Sequence, residues 1–237
     1  MSDKPVIGVT RPEKGGFTQN IAIRFAIWLV GGKAISISPK SFSNKIKFDG
    51  LVVAGGTDVH PTLYRGLEVK DSYVYDEARD KMESSLISEG LERNLPMLCI
   101  CRGAQLLNVI SGGDLHSDVS KAFENATYPS SLWAKVFFRK TVYLEKDSKL
   151  FNIFKLSQME VNSMHTQAVD QIGRGLCVSS KEENGVVQSI EHTEKDFVLG
   201  VQFHPEFLTT RSKIRELFKQ LVLKSKEFSK KSKQGRK

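Results

Sequence analysis

The sequence contains little cysteine, no long hydrophobic run and no clear charge excess over most of its length. Its three cysteines are an odd number, and their spacing suits neither a disulfide framework nor a structural zinc site. The longest apolar run, FAIWLVGG, is far shorter than a membrane-spanning helix. The N-terminus lacks the basic region and apolar stretch of a secretory signal. These absences predict a reduced, cytoplasmic protein without a membrane partner.

The net charge of +8 is concentrated at the C-terminus. Between Arg211 and Lys237 there are 11 lysines and arginines against two glutamates, so the rest of the chain is close to neutral. A basic run at a chain terminus is typical of a solvated end, and no nucleic-acid-reading module is recognisable. We therefore expect a domain over residues 1–226 and a basic tail over residues 227–237, and we do not predict nucleic-acid binding. Homodimer formation stays open.

The order of apolar and helical patterns predicts the fold class. Short apolar runs such as PVIGVT, FDGLVVAGG and PMLCI alternate with helical patterns, which is typical of strand–helix units and a parallel sheet. Beyond residue 130 the strand-like runs follow one another, and helical periodicity returns only after Thr209. With 237 residues and 40% hydrophobic content, one domain can bury the core. The prediction is an α/β fold with a three-layer, mostly parallel sheet, flanking helices and a small antiparallel extension.

Cys101 lies where the strand PMLCI passes into the helix RGAQLLNVI. Open α/β sheets bind their ligands at this position, beyond the carboxyl ends of the strands. A sharp turn there needs small neighbours, and Gly103 and Cys99 flank the position on either side. A helix N-terminus favours a thiolate, and its free N–H groups can bind an oxyanion. Cys101 is therefore a candidate nucleophile, whereas Cys99 and Cys177 are expected in the core.

A candidate base lies about a hundred residues downstream, in the segment VLGVQFHPEF. In an extended chain His204 and Glu206 project to the same side, and Pro205 between them stiffens the spacing. A carboxylate on one ring nitrogen fixes the tautomer and leaves the other nitrogen to face a thiol. The pattern therefore indicates a Cys–His–acid triad made of Cys101, His204 and Glu206.

At these residues the chain resembles the class I glutamine amidotransferase-like superfamily. Within it, the sequence is similar to the γ-glutamyl-γ-aminobutyrate hydrolase family, peptidase C26. The resemblance extends from PVIGVT to Phe207, and it implies a flavodoxin-like, three-layer fold. Four blocks carry the resemblance: GLVVAGGTDVHPTLY, PMLCICRGAQLLNVISGGDLHSD, VNSMHTQAV and LGVQFHPE.

The resemblance implies a role for each matching residue. Cys101 matches the nucleophile, His204 the general base and acid, and Glu206 the orienting acid. The backbone of Gly55, Gly56 and Arg102 matches the oxyanion hole. The positions that match the substrate pocket are Gln105, Asn162, Ser163 and His165. Two residues depart from the family pattern: Cys99 stands where glycine is common, and Thr166 where a second histidine is common.

The implied activity is hydrolysis of a small γ-glutamyl amide through a glutamyl thioester, without a metal or organic cofactor. The resemblance does not specify the leaving amine. One alternative is a glutaminase subunit that supplies ammonia to a separate synthase, because its triad would be the same. A second alternative is a non-catalytic binding protein on the same fold, against which the intact triad argues.

Overall fold

The computed structural model describes residues 4–43, 47–65, 74–126, 128 and 138–234. The strands are β1 (Val6–Thr10), β2 (Lys33–Ile37), β3 (Gly50–Val53), β4 (Met97–Ile100), β5 (Leu115–His116), β6 (Lys140–Leu144), β7 (Gln158–Val161), β8 (Ala168–Val169), β9 (Leu176–Lys181), β10 (Val187–His192) and β11 (Val198–Val201). The helices are α1 (Phe17–Leu29), α2 (Glu77–Glu92), α3 (Arg102–Ile110), α4 (Val119–Ala122), α5 (Lys149–Phe154) and α6 (Ser212–Gln234). Two 3-10 turns span Pro61–Leu63 and Pro205–Phe207.

Nine strands form one sheet in the order β2-β1-β3-β4-β11-β10-β9-β6-β7. The first five strands are parallel to one another. From β10 to β7 each strand is antiparallel to its neighbour, so this extension comprises four strands. The α/β fold with a parallel sheet and an antiparallel extension is therefore confirmed. Strands β5 and β8 form a separate two-stranded sheet that the sequence patterns did not predict.

Helices cover both faces of the sheet, which gives the predicted three layers. In β4, Leu98 and Ile100 belong to one apolar cluster, which also contains buried residues of α1, α5 and α6. Met97 and Cys99 belong to a second cluster with residues of α2 and α3. Every residue of β3, β4 and β11 is buried, as expected for central strands of a sheet covered on both sides.

The C-terminal helix contains residue 226, where the domain was predicted to end. Helix α6 continues through residue 226, the expected boundary, as far as Gln234. Residues 227–234 of the predicted tail are therefore helical, and residues 235–237 lie outside the described ranges. No helix within the described ranges combines the length and the apolar content that a membrane crossing requires.

Candidate active site

Cys101 occupies a strained turn between a strand and a helix. Strand β4 ends at Ile100, helix α3 begins at Arg102, and Cys101 between them has φ 51° and ψ −108°. Such a backbone conformation is costly for a residue with a Cβ, on the order of 1–3 kcal/mol, and persists only where the surroundings enforce it. The Cys101 N–H donates to the carbonyl of Val201 at 2.7 Å, which ties the turn to strand β11. The turn therefore holds the thiol at the carboxyl edge of the sheet.

The residues on either side of this turn have structural roles. A Cβ on Gly103 would lie 2.2 Å from the carbonyl oxygen of Val53, which is backbone and cannot move aside. Glycine is thus required for α3 to approach β3. Cys99 is completely buried between the sheet and helices α2 and α3, and burial raises the pKa of its thiol far above the usual range. Cys99 is a core residue, as predicted.

His204 reaches the thiol because strand β11 lies next to β4. Ile100 pairs with Val201 in parallel register, so the segments after both strands leave the same edge of the sheet. The side chains of Cys101 and His204 both lie against Gly55, where a Cβ would be 3.4 Å from Cys101 Cβ and 3.0 Å from His204 Cε1, and His204 Nδ1 lies 2.8 Å from Glu206 Oε1. Both His204 and Glu206 are buried. The structure therefore brings the three predicted triad residues together.

Two amide side chains hold this histidine and its carboxylate. Gln19, on helix α1, donates from Nε2 to Glu206 Oε1 at 2.8 Å and lies 3.3 Å from His204 Nδ1. Asn162 Oδ1 accepts the backbone N–H of His204 at 3.2 Å. The interpretation of the sequence missed Gln19, because its contact depends on how α1 packs beside the 3-10 turn after β11.

The environment of His204 favours the charged imidazolium. Burial alone would lower its pKa, but the hydrogen-bonded Glu206 carboxylate and the nearby Cys101 side chain outweigh burial and raise the pKa of His204 to about 10. A protonated imidazole beside a sulfur stabilises the thiolate. The site therefore places a positively charged ring beside the Cys101 sulfur.

Two further groups contact the sulfur. Gln202 Nε2 lies 3.4 Å from Cys101 Sγ, and the carbonyl oxygen of Met164 lies 3.9 Å from the same atom. Gln105 in turn donates to Gln202 Oε1 at 3.2 Å. The interpretation of the sequence missed Gln202, although the alternation of an extended segment puts it two residues before His204 and thus on the same side. Gln202 can donate a hydrogen bond to a thiolate.

The predicted oxyanion hole lies beside the thiol. A Cβ on Gly55 would lie 3.0 Å from His204 Cε1 and 3.4 Å from Cys101 Cβ, so the turn after β3 touches both residues. Arg102 is the first residue of α3, where backbone N–H groups have no partner within the helix. Gly55 therefore lies against the Cys101 side chain, Gly56 lines the same cavity and Arg102 follows the nucleophile directly, and their role as an oxyanion hole stays a prediction.

A cavity of about 990 Å³ opens onto Cys101 and His204. Its floor includes Gly55 and Gly56 as well as the triad sulfur and imidazole. The volume is at the upper end of the range for small-molecule sites. The charged residues that line it are Glu13, Lys14, Lys40, Asp76 and Arg79. A small polar ligand can therefore reach the sulfur from solvent.

The peptidase C26 sequence model matches residues 23–206. This chain belongs to the peptidase C26 family. Among the relatives of this C26 protein, the γ-glutamyl-γ-aminobutyrate hydrolase PuuD of Escherichia coli is 30% identical, over 86% of this chain and 87% of PuuD. A glutamine amidotransferase-like protein of Rickettsia prowazekii is 34% identical, over 95% of this chain and 99% of the relative. The C26 protein is thus a glutamine amidotransferase-like hydrolase.

A solved structure shares the fold of this C26 protein. The glutamine amidotransferase of Thermotoga maritima superposes with a TM-score of 0.60, over 95% of this chain and 97% of the other, at 18% sequence identity. At this identity the likeness shows a common architecture only. It agrees with the predicted class I glutamine amidotransferase-like fold.

Two residues predicted to contact substrate in this C26 protein lie beneath the site instead of on the cavity surface. Gln105 is buried and donates to the carbonyl of Gln167 at 2.7 Å as well as to Gln202. Asn162 is buried and holds the His204 backbone. Neither residue is among those that line the cavity in the described part of the chain. Their observed contacts support the triad, and a direct role in binding substrate stays a prediction.

The other two predicted substrate residues, Ser163 and His165, belong to a polar cluster behind the triad. Ser163 pairs with Phe203 in an isolated β-bridge, and its Oγ donates to Gln188 Oε1 at 2.8 Å. His165 Nδ1 lies 2.7 Å from the carbonyl of Gln167, and burial lowers the pKa of His165 to about 4. The neutral imidazole therefore fits a structural role, and its predicted contact with substrate stays untested. Across the described ranges, no three His, Cys, Asp or Glu side chains group as a metal site would require.

Proposed function

We propose that this C26 protein hydrolyses γ-glutamyl amides through a glutamyl thioester on Cys101. The observation that carries the proposal is that Cys101 and His204 line one open cavity, with Glu206 hydrogen-bonded to His204 behind them. A nucleophile, a base within hydrogen-bond reach and a group that orients the base are what acyl transfer requires. The γ-glutamyl substrate class is supported by the family resemblance and by the relative PuuD.

The reaction begins with the proton on His204 and the negative charge on Cys101. The thiolate attacks the γ-carbonyl carbon, and the carbonyl oxygen becomes an oxyanion. The N–H groups of Arg102, Gly55 and Gly56 stabilise this oxyanion, which is commonly the largest electrostatic contribution in such sites. Gln202 lies against the sulfur throughout, and Glu206 keeps the imidazolium oriented.

Collapse of the tetrahedral intermediate breaks the carbon–nitrogen bond. His204 donates its proton to the departing amine and becomes neutral, and the glutamyl group stays on sulfur as a thioester. His204 then takes a proton from water, and the resulting hydroxide attacks the thioester carbonyl. The second intermediate expels the Cys101 thiolate, releases glutamate and restores the thiolate–imidazolium pair.

A panel of γ-glutamyl amides with different leaving amines tests this proposal. We expect the purified protein alone to release amine from some members and to accumulate a glutamyl adduct on Cys101, detected by intact mass. Cys101→Ala should lower turnover by at least about 10³-fold, because it removes the atom on which the thioester forms. Cys99→Ala is the matched control, since it removes a buried thiol and should retain turnover.

Two outcomes would contradict the proposal. Equal turnover by the wild type and Cys101→Ala would rule out the thioester mechanism. Adduct formation followed by hydrolysis only in the presence of a second protein would instead favour the glutaminase subunit.

A further inference from the structure

Helix α2 carries a buried ionic cluster beside the oxyanion turn. Arg79, Asp80 and Glu83 belong to this helix, and Arg102 is the first residue of α3. None of the four is more than 3% exposed, and the two positive and two negative charges balance. Buried ion pairs commonly add little net stability compared with apolar packing. The cluster therefore calls for an explanation other than stability.

Arg79 directs its guanidinium at the backbone of the glycine turn. Its Nη2 donates to the carbonyls of Ala54 and Gly55, each at 2.9 Å, and its Nε donates to Glu83 Oε1 at 2.8 Å. A Cβ on Gly56 would lie 2.2 Å from Arg79 Nη1, so the guanidinium is packed directly against the turn. One side chain thus binds two successive peptide groups.

These two hydrogen bonds determine where the next two N–H groups point. In a planar trans peptide the carbonyl and the following N–H point in opposite directions. Because Arg79 holds the carbonyls of Ala54 and Gly55, the N–H groups of Gly55 and Gly56 must point away from Arg79. Those N–H groups are the two that the proposed mechanism uses to bind the oxyanion.

The third oxyanion donor is tied to the same cluster. The guanidinium of Arg102 is hydrogen-bonded to Asp80 and to Glu83 Oε2, the second oxygen of the carboxylate that holds Arg79. The residue after the nucleophile is therefore connected to the glycine turn through Glu83. Both sides of the oxyanion hole are linked to one turn of α2.

We propose that Arg79 is a positioning residue that sets the geometry of the oxyanion hole, acting through the carbonyls of Ala54 and Gly55. The inference rests on the proposed acyl transfer at Cys101. Arg79 is expected to contribute to steps that form an oxyanion and not to the nucleophilicity of the thiolate. Loss of a single oxyanion donor commonly lowers kcat by 10²- to 10³-fold.

Two reactions of the same sulfur separate these contributions. Cleavage of γ-glutamyl-p-nitroanilide forms an oxyanion, whereas alkylation of Cys101 by iodoacetamide does not. We expect Arg79→Gln to lower kcat for the anilide by about 10²-fold, with a smaller change in KM. Its alkylation rate should stay within about twofold of wild type. Arg79→Lys keeps the charge but not the fork of donors, so its kcat for the anilide should lie between those of wild type and Arg79→Gln.

Two further variants complete the experiment. Gly56→Ala pushes Arg79 off the turn without removing its charge. We expect this variant to lose kcat and keep its alkylation rate, so it tests the same point even if Arg79→Gln fails to fold. Arg93→Gln is the matched control, because this exposed arginine caps the end of the same helix and pairs with Glu89. It should change neither rate.

The inference is overturned if kcat and alkylation fall together in the folded Arg79 variants and in Gly56→Ala, since that pattern means a general structural role. It is equally overturned if neither rate changes. A wild-type protein that is alkylated rapidly but cleaves no γ-glutamyl amide would instead refute the proposed function itself, and the role of Arg79 with it.

Discussion

The charge on His204 links catalysis to stability. Its pKa is about 10 in the folded protein, against about 6.5 for an unperturbed histidine, so between these values the folded His204 keeps a proton that an unfolded histidine loses. The resulting stabilisation is complete below about pH 6.5 and is lost as the pH rises toward 10. We expect the free energy of unfolding to decline over this window, by at most about 1.4 kcal/mol per pH unit. Urea denaturation at several pH values measures this slope.

His204→Gln provides the comparison for that measurement. The variant lacks the imidazole whose pKa is raised, so its profile should be flatter than that of wild type. Cys101→Ala should also flatten the profile, because the Cys101 side chain is one of the groups that raise the pKa of His204. Superimposable slopes in all three proteins would show that His204 is not protonated above pH 6.5.

Single residues differ in how far the sequence alone could identify them. Cys101 and His204 stand out because each belongs to a local pattern: a strand–helix turn and an extended His-Pro-Glu segment. Gln19 and Arg79 belong to no such pattern. Each acts through a contact with another element, at the Glu206 carboxylate or at the Ala54 and Gly55 carbonyls. Contacts of this kind follow from packing between helices and loops, which periodicity does not encode.

Among the elements, helix α6 has two parts with different roles. Its first part buries Leu217, Phe218 and Leu221 in the core, whereas between residues 227 and 234 the apolar residue that packs partly on the core is Phe228. We expect truncation after Lys226 to leave kcat/KM unchanged and to lower the free energy of unfolding by about 1 kcal/mol, because little apolar surface is lost. Activity assays and urea denaturation of the truncated chain test both expectations.

Leu221→Ala is the comparison for the truncation, since it removes a completely buried side chain of the same helix. This substitution should cost about 2–5 kcal/mol, well above the cost of the truncation. A truncated protein that loses turnover would show that the basic end of α6 takes part in the reaction.

Element length explains which secondary structure was missed. Strands β1, β3 and β4 and helix α3 were expected from the patterns of PVIGVT, FDGLVVAGG, PMLCI and RGAQLLNVI, and the structure contains them. The two-residue strands β5 and β8 and the six-residue helix α5 are too short for a period of two or 3.6 residues to emerge. Strand-like runs were expected beyond residue 130, and residues 131–137 lie outside the described ranges.

For the whole molecule, strand order is what creates the site, and sequence patterns did not specify it. Strand β4 pairs with β11, which follows it by about a hundred residues, and this pairing places Cys101 beside His204. The antiparallel extension then continues from β11 through β10. Cys101 on one side, and His204 with Glu206 on the other, therefore follow neighbouring central strands of one sheet and do not come from two separate lobes.

The core also predicts how the molecule unfolds. One apolar cluster extends from Ile7 in β1 to Met159 and Val161 in β7, across both the parallel and the antiparallel parts of the sheet. Because neither part has a core of its own on this face, we expect one cooperative transition. Far-UV circular dichroism, turnover and protection of Cys99 from alkylation should all change at the same urea concentration. Loss of helical signal before Cys99 becomes reactive would instead show that the two parts unfold separately.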